Sequence, residues 1–216
     1  MPLLDVAFEG HLDQVLPADL PQRDFAIRKC AEHLELIVEA NQHLNLTRIT
    51  TPREAAVKHV LDSVIPWRLF AGARHVLDAG TGAGFPGIPL ALALPDIRFT
   101  LAESIQKKAR FVEAALGKLE LPNVAVSARR AEEVWREGRP DVITARAFAP
   151  FSRVMGLFAP ALRAGTKILL YKGPDAEREI AESAKECAKL LVRADVVMRY
   201  DLPDSMGTRM IIQIGG

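Results

Sequence analysis

Hydrophobic spacing predicts that the first third of the chain is helical. Apolar residues recur every three or four positions on one helical face, at Ile27, Cys30, Leu34, Ile37 and Val38. A further helix is predicted to start at Thr51, because Pro52 suits the first helical position and Glu54 stands three residues after the capping Thr. This helix is predicted to end before Pro66.

Short apolar runs alternate with helical stretches from residue 74 onward. The runs predict strands at 75–80, 98–103, 123–128, 141–146 and 166–171. Helical patterns occupy 86–94, 105–119, 150–162 and 174–191. Strands and helices in alternation predict a parallel, doubly wound α/β sheet, because each crossover helix carries the chain back to begin the next strand at the same edge.

The last two apolar runs, 193–200 and 207–214, are separated by six residues that include Pro203. That gap is too short for a helical crossover, so these two strands are predicted to be antiparallel. We therefore expect a Rossmann-like α/β fold, mostly parallel and closed by a C-terminal antiparallel hairpin. Two domains are predicted: an N-terminal helical extension, 1–72, and the sheet domain, 73–216.

Composition agrees with a folded, soluble protein. Of 216 residues, 49% are hydrophobic and 25% are charged, which excludes a disordered chain. The longest uncharged run, 79–95, holds four glycines and three prolines and cannot form a membrane helix. Cys30 and Cys187 are expected to be buried thiols. The first ten residues carry Asp5 and Glu9 and no basic residue, so we expect a cytoplasmic protein.

The formal net charge of +1 hides an uneven distribution of charge. Residues 1–72 carry a net charge of −3, whereas 104–172 carry +7. The basic side chains could form a phosphate-binding rim, although a solvated surface is the competing explanation. The candidates are Lys107, Lys108, Arg110, Arg129, Arg130, Arg136, Arg139, Arg153, Lys167 and Lys172.

A glycine-rich loop follows the first predicted strand, where ligands bind in open α/β sheets. Two cofactor classes fit it. Gly82-x-Gly84-x-x-Gly87 satisfies the dinucleotide pattern, whereas Asp78-x-Gly80-x-Gly82-x-Gly84 is typical of S-adenosylmethionine-dependent methyltransferases. Glu103, which ends the second strand, could bind the ribose of either cofactor.

Two further features favour the methyltransferase. The C-terminal hairpin is typical of that sheet, and neither Tyr171 nor Tyr200 has the lysine four residues later that a common dehydrogenase dyad requires. A nicotinamide oxidoreductase remains an alternative, as do a small-molecule methyltransferase with the N-terminal helices as a lid and a noncatalytic RNA-binding protein.

A series of motifs, in order over residues 45–173, resembles the RsmG (GidB) family of bacterial methyltransferases, which modify a guanine of 16S ribosomal RNA. The Gly-Phe-Pro-Gly-Ile-Pro continuation of the glycine loop is the most specific of them. The motifs are Asn45-Leu46-Thr47, His59-x-x-Asp62-Ser63, the run 78–90, Glu103-Ser104-x-x-Lys107-Lys108, Arg130-Ala131-Glu132-Glu133, Thr144-Ala145-Arg146-Ala147 and Tyr171-Lys172-Gly173.

The resemblance implies a class I methyltransferase sheet, S-adenosylmethionine as the cofactor and nitrogen-7 of a guanine in the 530 loop as the target. It places Gly80, Phe85 and Arg146 in the cofactor site, with Ala131 and Glu132 against the adenosine. Gly82 and Glu103 are also predicted to bind the cofactor, because Gly82 belongs to the glycine motif and Glu103 ends the second strand. The implied partner is 16S rRNA or a small-subunit ribosomal particle. We expect a monomer that binds neither DNA nor a membrane.

No catalytic base is predicted. The fourth strand ends in Ala145-Arg146-Ala147-Phe148, without the Pro-Pro pair of amine methyltransferases and without a nucleophilic cysteine. Guanine nitrogen-7 already offers a lone pair and loses no proton, so positioning and desolvation would suffice. No metal-ligand spacing appears. His59 and Asp62 stand one helical turn apart, and packing and substrate contact remain equally open for them.

Overall fold

The computed structural model describes residues 5–49 and 51–215, with side chains from Phe8 onward. Within them, seven strands form one sheet in the order β3-β2-β1-β4-β5-β7-β6. The strands are β1 (His75–Ala79), β2 (Arg98–Ala102), β3 (Val124–Ser127), β4 (Val142–Arg146), β5 (Lys167–Lys172), β6 (Arg193–Asp201) and β7 (Thr208–Gly215). Each begins and ends within a residue or two of its predicted bounds.

The direction of the strands confirms the predicted fold class. β1 to β5 pair in parallel, whereas β7 is antiparallel to both β5 and β6. The hairpin therefore folds back so that β7 inserts between β5 and β6. Since the carboxyl ends of β1, β2, β4 and β5 meet at one edge, the loops that follow them are neighbours there.

The helices also follow the predicted pattern. They are α1 (Asp5–Val15), α2 (Arg23–Leu44), α3 (Pro52–Ala55), α4 (Asp62–Val64), α5 (Gly87–Ala93), α6 (Gln106–Leu119), α7 (Ala131–Gly138), α8 (Phe151–Leu157), α9 (Ala159–Arg163), α10 (Ala176–Glu182) and α11 (Ala184–Leu190). The hydrophobic pattern did not delimit α7, because Ala131 and Trp135 are the only fully buried residues in its two turns.

One continuous helix, 52–64, joins α3 to α4 and carries part of the site. Thr51 accepts a hydrogen bond from the backbone N–H of Glu54, and Pro52 opens the helix, as predicted. Its centre, Ala56–Leu61, is a π-helical turn that the sequence did not indicate. Helix 52–64 ends before Pro66, which confirms the predicted stop.

The core lies on both faces of the sheet. On one face, α2 packs against α5 and α6, and the buried side chains of α1, α2 and helix 52–64 join those of the sheet in one cluster. The other face is covered by a second cluster around Phe151 and Phe158. Cys30 and Cys187 are buried, as predicted. Within the described ranges, no helix is long and apolar enough to cross a membrane.

Candidate functional site

The loop between β1 and α5 is held closed by Asp78. Its carboxylate is fully buried, and one oxygen accepts hydrogen bonds from the hydroxyl of Thr81 at 2.6 Å and from the N–H of Gly87 at 2.9 Å. The other oxygen has no hydrogen-bond partner among the described residues. Burial raises the pKa of Asp78 to about 6. Asp78 thus holds the loop in shape by hydrogen bonds to Thr81 and Gly87, and it does not line the cavity described below.

Glycines of this loop differ in what surrounds them. A Cβ on Gly80 would come within 2.5 Å of the Phe148 ring, and one on Gly84 within 2.5 Å of Ile88. A Cβ on Gly82 would meet no described atom within 4 Å, although its φ of +62° itself favours glycine. The backbone of Gly82 therefore faces open space, where a ligand can approach closely.

Glu103 fixes the far side of the same loop. It follows β2 and is buried, and its two carboxylate oxygens accept the N–H groups of Gly82 at 3.1 Å and Ile105 at 2.8 Å. Each oxygen keeps a lone pair for a further donor. The predicted ribose acceptor is therefore locked in position beside the open backbone of Gly82.

A cavity of about 620 Å³ opens at the carboxyl edge of the sheet, within the size range of small-molecule sites. Its walls come from helix 52–64, the glycine loop, the ends of β4 and β5, and β7. The structure brings five of the predicted cofactor residues to this cavity: Gly80, Gly82, Phe85, Glu103 and Arg146.

A second cavity of about 210 Å³ adjoins the first and is lined by the other two predicted residues, Ala131 and Glu132. Gly80 and Phe148 line both cavities. Because the Phe148 ring lies against Gly80, it forms the partition between them. Ala147, directly before it, has a φ of +51°. Sequence reasoning gave Phe148 no role in the site.

Phe85 is packed from two sides inside the larger cavity. The imidazole of His59 stacks on its ring, and the Arg146 guanidinium carbon lies 5.5 Å from the ring centroid. His59 Nε2 is 2.9 Å from the hydroxyl of Thr47. Burial, reinforced by the Arg146 charge, lowers the pKa of His59 to about 3, so the imidazole is neutral. His59 is therefore both a packed residue and a cavity wall.

Arg146 reaches the cavity from the end of β4, but its guanidinium is turned toward helix 52–64. Nη1 donates to the carbonyls of Lys58 at 3.0 Å and His59 at 3.3 Å, and to Asp62 Oδ2 at 3.0 Å. Asp62 is only 2% exposed. The Asp62 carboxylate and the backbone carbonyl of His59 therefore hold Arg146, whereas the His59 imidazole packs on Phe85.

Two residues of the C-terminal hairpin complete this cluster. The hydroxyl of Tyr200 donates to Asp62 Oδ1 at 2.9 Å, and Arg209 Nε lies 3.5 Å from the same oxygen. Sequence reasoning missed both, because no local motif marks a hairpin residue that reaches a helix far away in the chain. Arg209 also lines the larger cavity.

The predicted basic rim is only partly assembled. Lys108 and Lys172 line the larger cavity, and Arg129, Arg130 and Arg153 line the smaller one. Arg129 is also engaged by acidic neighbours, at 2.7 Å from Glu137 and 3.5 Å from Glu133, so it offers less free charge than Arg130.

The other five candidates line neither cavity, which corrects that part of the prediction; they are Lys107, Arg110, Arg136, Arg139 and Lys167. Lys167 begins β5 and so lies at the opposite edge of the sheet, where its ammonium donates to the Leu69 carbonyl at 2.8 Å. Arg139 follows α7 and its guanidinium lies over the Trp135 ring. No group of three or more candidate metal ligands occurs among the residues that the structure describes.

Solved structures share the fold. An O-methyltransferase from Bacillus cereus in complex with SAH superposes with a TM-score of 0.60 at 18% identity, covering 99% of this chain and 98% of that one. TomG, an O-methyltransferase from Streptomyces achromogenes in complex with SAM, gives 0.54 at 16% identity, covering 99% and 97%. At such identities the likeness concerns the fold alone.

Sequence comparison is far more specific. The family model described as rRNA small subunit methyltransferase G (GidB) matches residues 26–203. Ribosomal RNA small subunit methyltransferase G of Solibacter usitatus is 63% identical over 209 residues, covering 97% of this chain and all of that protein. Its counterpart in Sorangium cellulosum is 40% identical, covering 82% and 76%. The chain therefore belongs to the rRNA small subunit methyltransferase G family.

Proposed function

We propose that this protein transfers a methyl group from S-adenosylmethionine to nitrogen-7 of a guanine in the 530 loop of 16S ribosomal RNA. Membership of the family makes it a small-subunit rRNA methyltransferase. The nitrogen and the loop come from the family resemblance. The observation that carries the proposal is the cavity over the open backbone of Gly82, because that backbone can receive a cofactor. The imidazole of His59 and the carboxylates of Asp62 and Glu103 in its walls are already held by hydrogen bonds within the protein.

The residues present fit S-adenosylmethionine. Glu103 offers two fixed carboxylate oxygens to ribose hydroxyls, and Gly82 leaves room for a close approach. We assign the smaller cavity, with Ala131 and Glu132, to the adenosine. The larger one, with Gly80, Phe85 and Arg146, receives the methionine side. When bound, the sulfonium supplies an electrophilic methyl group.

Side chains of the larger cavity position the reactants and do not remove a proton. Arg146 is always charged and cannot act as a base. The low pKa of His59, about 3, makes its imidazole a poor proton acceptor. The Asp62 carboxylate already accepts hydrogen bonds from Arg146 and Tyr200, and Arg209 Nε lies 3.5 Å from it. Guanine nitrogen-7 needs no base, because it attacks with an in-plane lone pair. Correct positioning contributes up to roughly 7–11 kcal/mol in favourable cases.

The rRNA guanine must be unpaired or extruded to reach the cavity, because the A-form major groove hides nitrogen-7. Lys108, Arg130 and Arg153 line the two cavities and are suited to hold the neighbouring phosphates. Lys172 is less suited, because Glu179 already pairs with it at 2.7 Å. The proposed partner is 16S rRNA or a small-subunit ribosomal particle. The proposal includes a cytoplasmic monomer that binds neither DNA nor a membrane.

The N-terminal helical extension, 1–72, is proposed to close one side of the site built by the methyltransferase domain, 73–216. Leu46, Ile49 and Lys58 of the extension line the larger cavity. Because these helices close one side only, a base presented on a large RNA can enter while the rest of the RNA remains outside.

The decisive experiment uses 16S rRNA and small-subunit particles from a strain that lacks the family's enzyme. Incubation with labelled S-adenosylmethionine should place one methyl group on guanine nitrogen-7, detected by chemical cleavage at 7-methylguanosine. Label on an exocyclic amine or on a pyrimidine would contradict the proposed chemistry. Label on neither substrate would contradict the proposed function.

A further inference from the structure

Asp62 is a charged group in a place where charge is costly. Its side chain is 2% exposed. It lies between Arg146, whose side chain is 15% exposed, and Arg209, whose side chain is 27% exposed. Burying an ion pair gains little stability compared with apolar packing, because both charges lose their hydration. A purely structural junction between helix and sheet would be served as well by apolar residues.

The backbone around Asp62 is adapted to the same guanidinium. The π-helical turn Ala56–Leu61 ends directly before it, and the N–H of Asp62 donates back to the carbonyl of Val57. Lys58 and His59, inside this turn, direct their carbonyls at Arg146 Nη1, which also reaches Asp62 Oδ2. One nitrogen is thus surrounded by three acceptors. π-helical turns are often found at functional sites.

We propose that Asp62 is a positioning residue for methyl transfer, which acts by holding Arg146 at the cavity wall. Arg146 lines the cavity and lies over Phe85. Asp62 lines the cavity as well, but its carboxylate is occupied by the two arginines and Tyr200. The inference rests on the proposed function, because it assumes that Arg146 contacts the cofactor. It adds that helix 52–64 and the hairpin together determine the position of the Arg146 guanidinium at the cavity wall.

The primary test replaces Asp62 by Asn, which keeps the shape and removes the charge. We expect Asp62→Asn to raise the dissociation constant for S-adenosylhomocysteine at least tenfold by calorimetry. The KM for S-adenosylmethionine should rise by a similar factor in rRNA methylation. Tyr200→Phe removes a single hydrogen bond to the carboxylate and should change both values by less than threefold.

A matched control is offered by Asp204. It also links helix 52–64 to the hairpin, through a bond from Arg53 Nε to its carboxylate at 2.7 Å, but it is half exposed and outside both cavities. Asp204→Asn makes the same change of charge and should leave the affinity and the KM unchanged. An equal loss in Asp204→Asn would overturn the inference, because any weakened helix–hairpin contact would then suffice.

A double-mutant cycle separates positioning from general stability. If Asp62 acts through Arg146, then Asp62→Asn should have no further effect on affinity in an Arg146→Ala background. Additive losses would overturn the inference. So would a folded Asp62→Asn variant with wild-type affinity and KM. Failure of the proposed function is distinguishable, because the wild-type protein itself would then neither bind S-adenosylhomocysteine nor methylate rRNA.

Asp62→Asn alone leaves two arginines without their counter-charge and can fail to fold. In that case the affinity of Arg146→Met is compared with that of the double variant Asp62→Asn/Arg146→Met. Both variants lack the Arg146 charge, so the loss of the Asp62 charge leaves only Arg209 without its partner. Equal affinities of these two for S-adenosylhomocysteine support the inference. A further tenfold loss in the double variant overturns it.

Discussion

The imidazole of His59 lies flat against the ring of Phe85, with centroids 4.6 Å apart and planes within 8° of parallel. This contact joins the π-helical turn Ala56–Leu61 to the glycine loop between β1 and α5. His33 also contacts this phenyl ring, with centroids 5.0 Å apart and planes tilted by 37°. Two imidazoles whose pKa values burial lowers therefore contact Phe85.

Stability should fall in mild acid because of these histidines. Burial lowers the pKa of His33 to about 4 and that of His59 to about 3. Both are neutral in the folded protein, whereas the unfolded chain takes up protons as the pH drops below about 6.5. His33 alone should cost about 2 kcal/mol between pH 7.5 and pH 5. Asp78, with its raised pKa, acts in the opposite direction.

The contribution of His33 to the pH dependence of stability is measured by urea unfolding of the wild type and of His33→Gln at pH 7.5 and pH 5. Gln can still donate to the Ala83 carbonyl, which His33 Nε2 meets at 2.8 Å, but does not titrate. The variant should lose less stability between the two pH values than the wild type. An identical loss in both proteins would show that His33 does not supply the pH dependence.

S-Adenosylhomocysteine should stabilise the protein and NAD should not, because the loop and hairpin are those of a methyltransferase. At a hundredfold excess over the dissociation constant, the gain should be about 2.7 kcal/mol. For a chain of this size that corresponds to a rise in Tm of roughly 5–11 °C. A thermal shift with NAD alone would favour the oxidoreductase alternative.

Gly82→Val should abolish cofactor binding and leave the fold intact. The side chain would enter the open space beside Glu103, and the positive φ should cost about 1–2 kcal/mol. Gly72 provides the control, since it has a similar φ of +79°, equally open surroundings and no place in either cavity. Gly72→Val should lose comparable stability and keep full affinity for S-adenosylhomocysteine by calorimetry. Unchanged binding by Gly82→Val would mean that the loop is only a turn.

Binding of rRNA should be salt-dependent and sensitive to the rim. Arg130→Ala should flatten the plot of log affinity against log salt by about 0.7, the value for one single-strand phosphate contact. Arg129→Ala should have a smaller effect, because Glu137 and Glu133 already neutralise Arg129. Lys118, near the end of α6 and outside both cavities, is the control and should not change the slope. Equal slopes for Arg130→Ala and the wild type would remove Arg130 from the rim.

Sequence alone predicted the sheet well, because its strands are buried apolar runs bounded by loops. It also predicted the start of helix 52–64, because the cap, Pro52 and Glu54 lie within four residues. The grouping of Asp62 with Tyr200 and Arg209 depends on how the hairpin meets the helix, and no local pattern encodes that meeting. The error at Lys167 was avoidable, since a residue that begins a parallel strand lies away from the carboxyl edge.

The insertion of β7 between β5 and β6 determines when the protein can become active. Of the seven strands described, β7 is synthesised last, yet β5 and β6 both pair with it. Until it emerges from the ribosome, β5 has an open edge and β6 has no neighbour in the sheet. Arg209, which reaches Asp62 and lines the cavity, arrives on the same strand. A nascent chain can thus form β1 to β5 in order, but the wall of the cavity that carries Arg209 is added only when β7 has been synthesised.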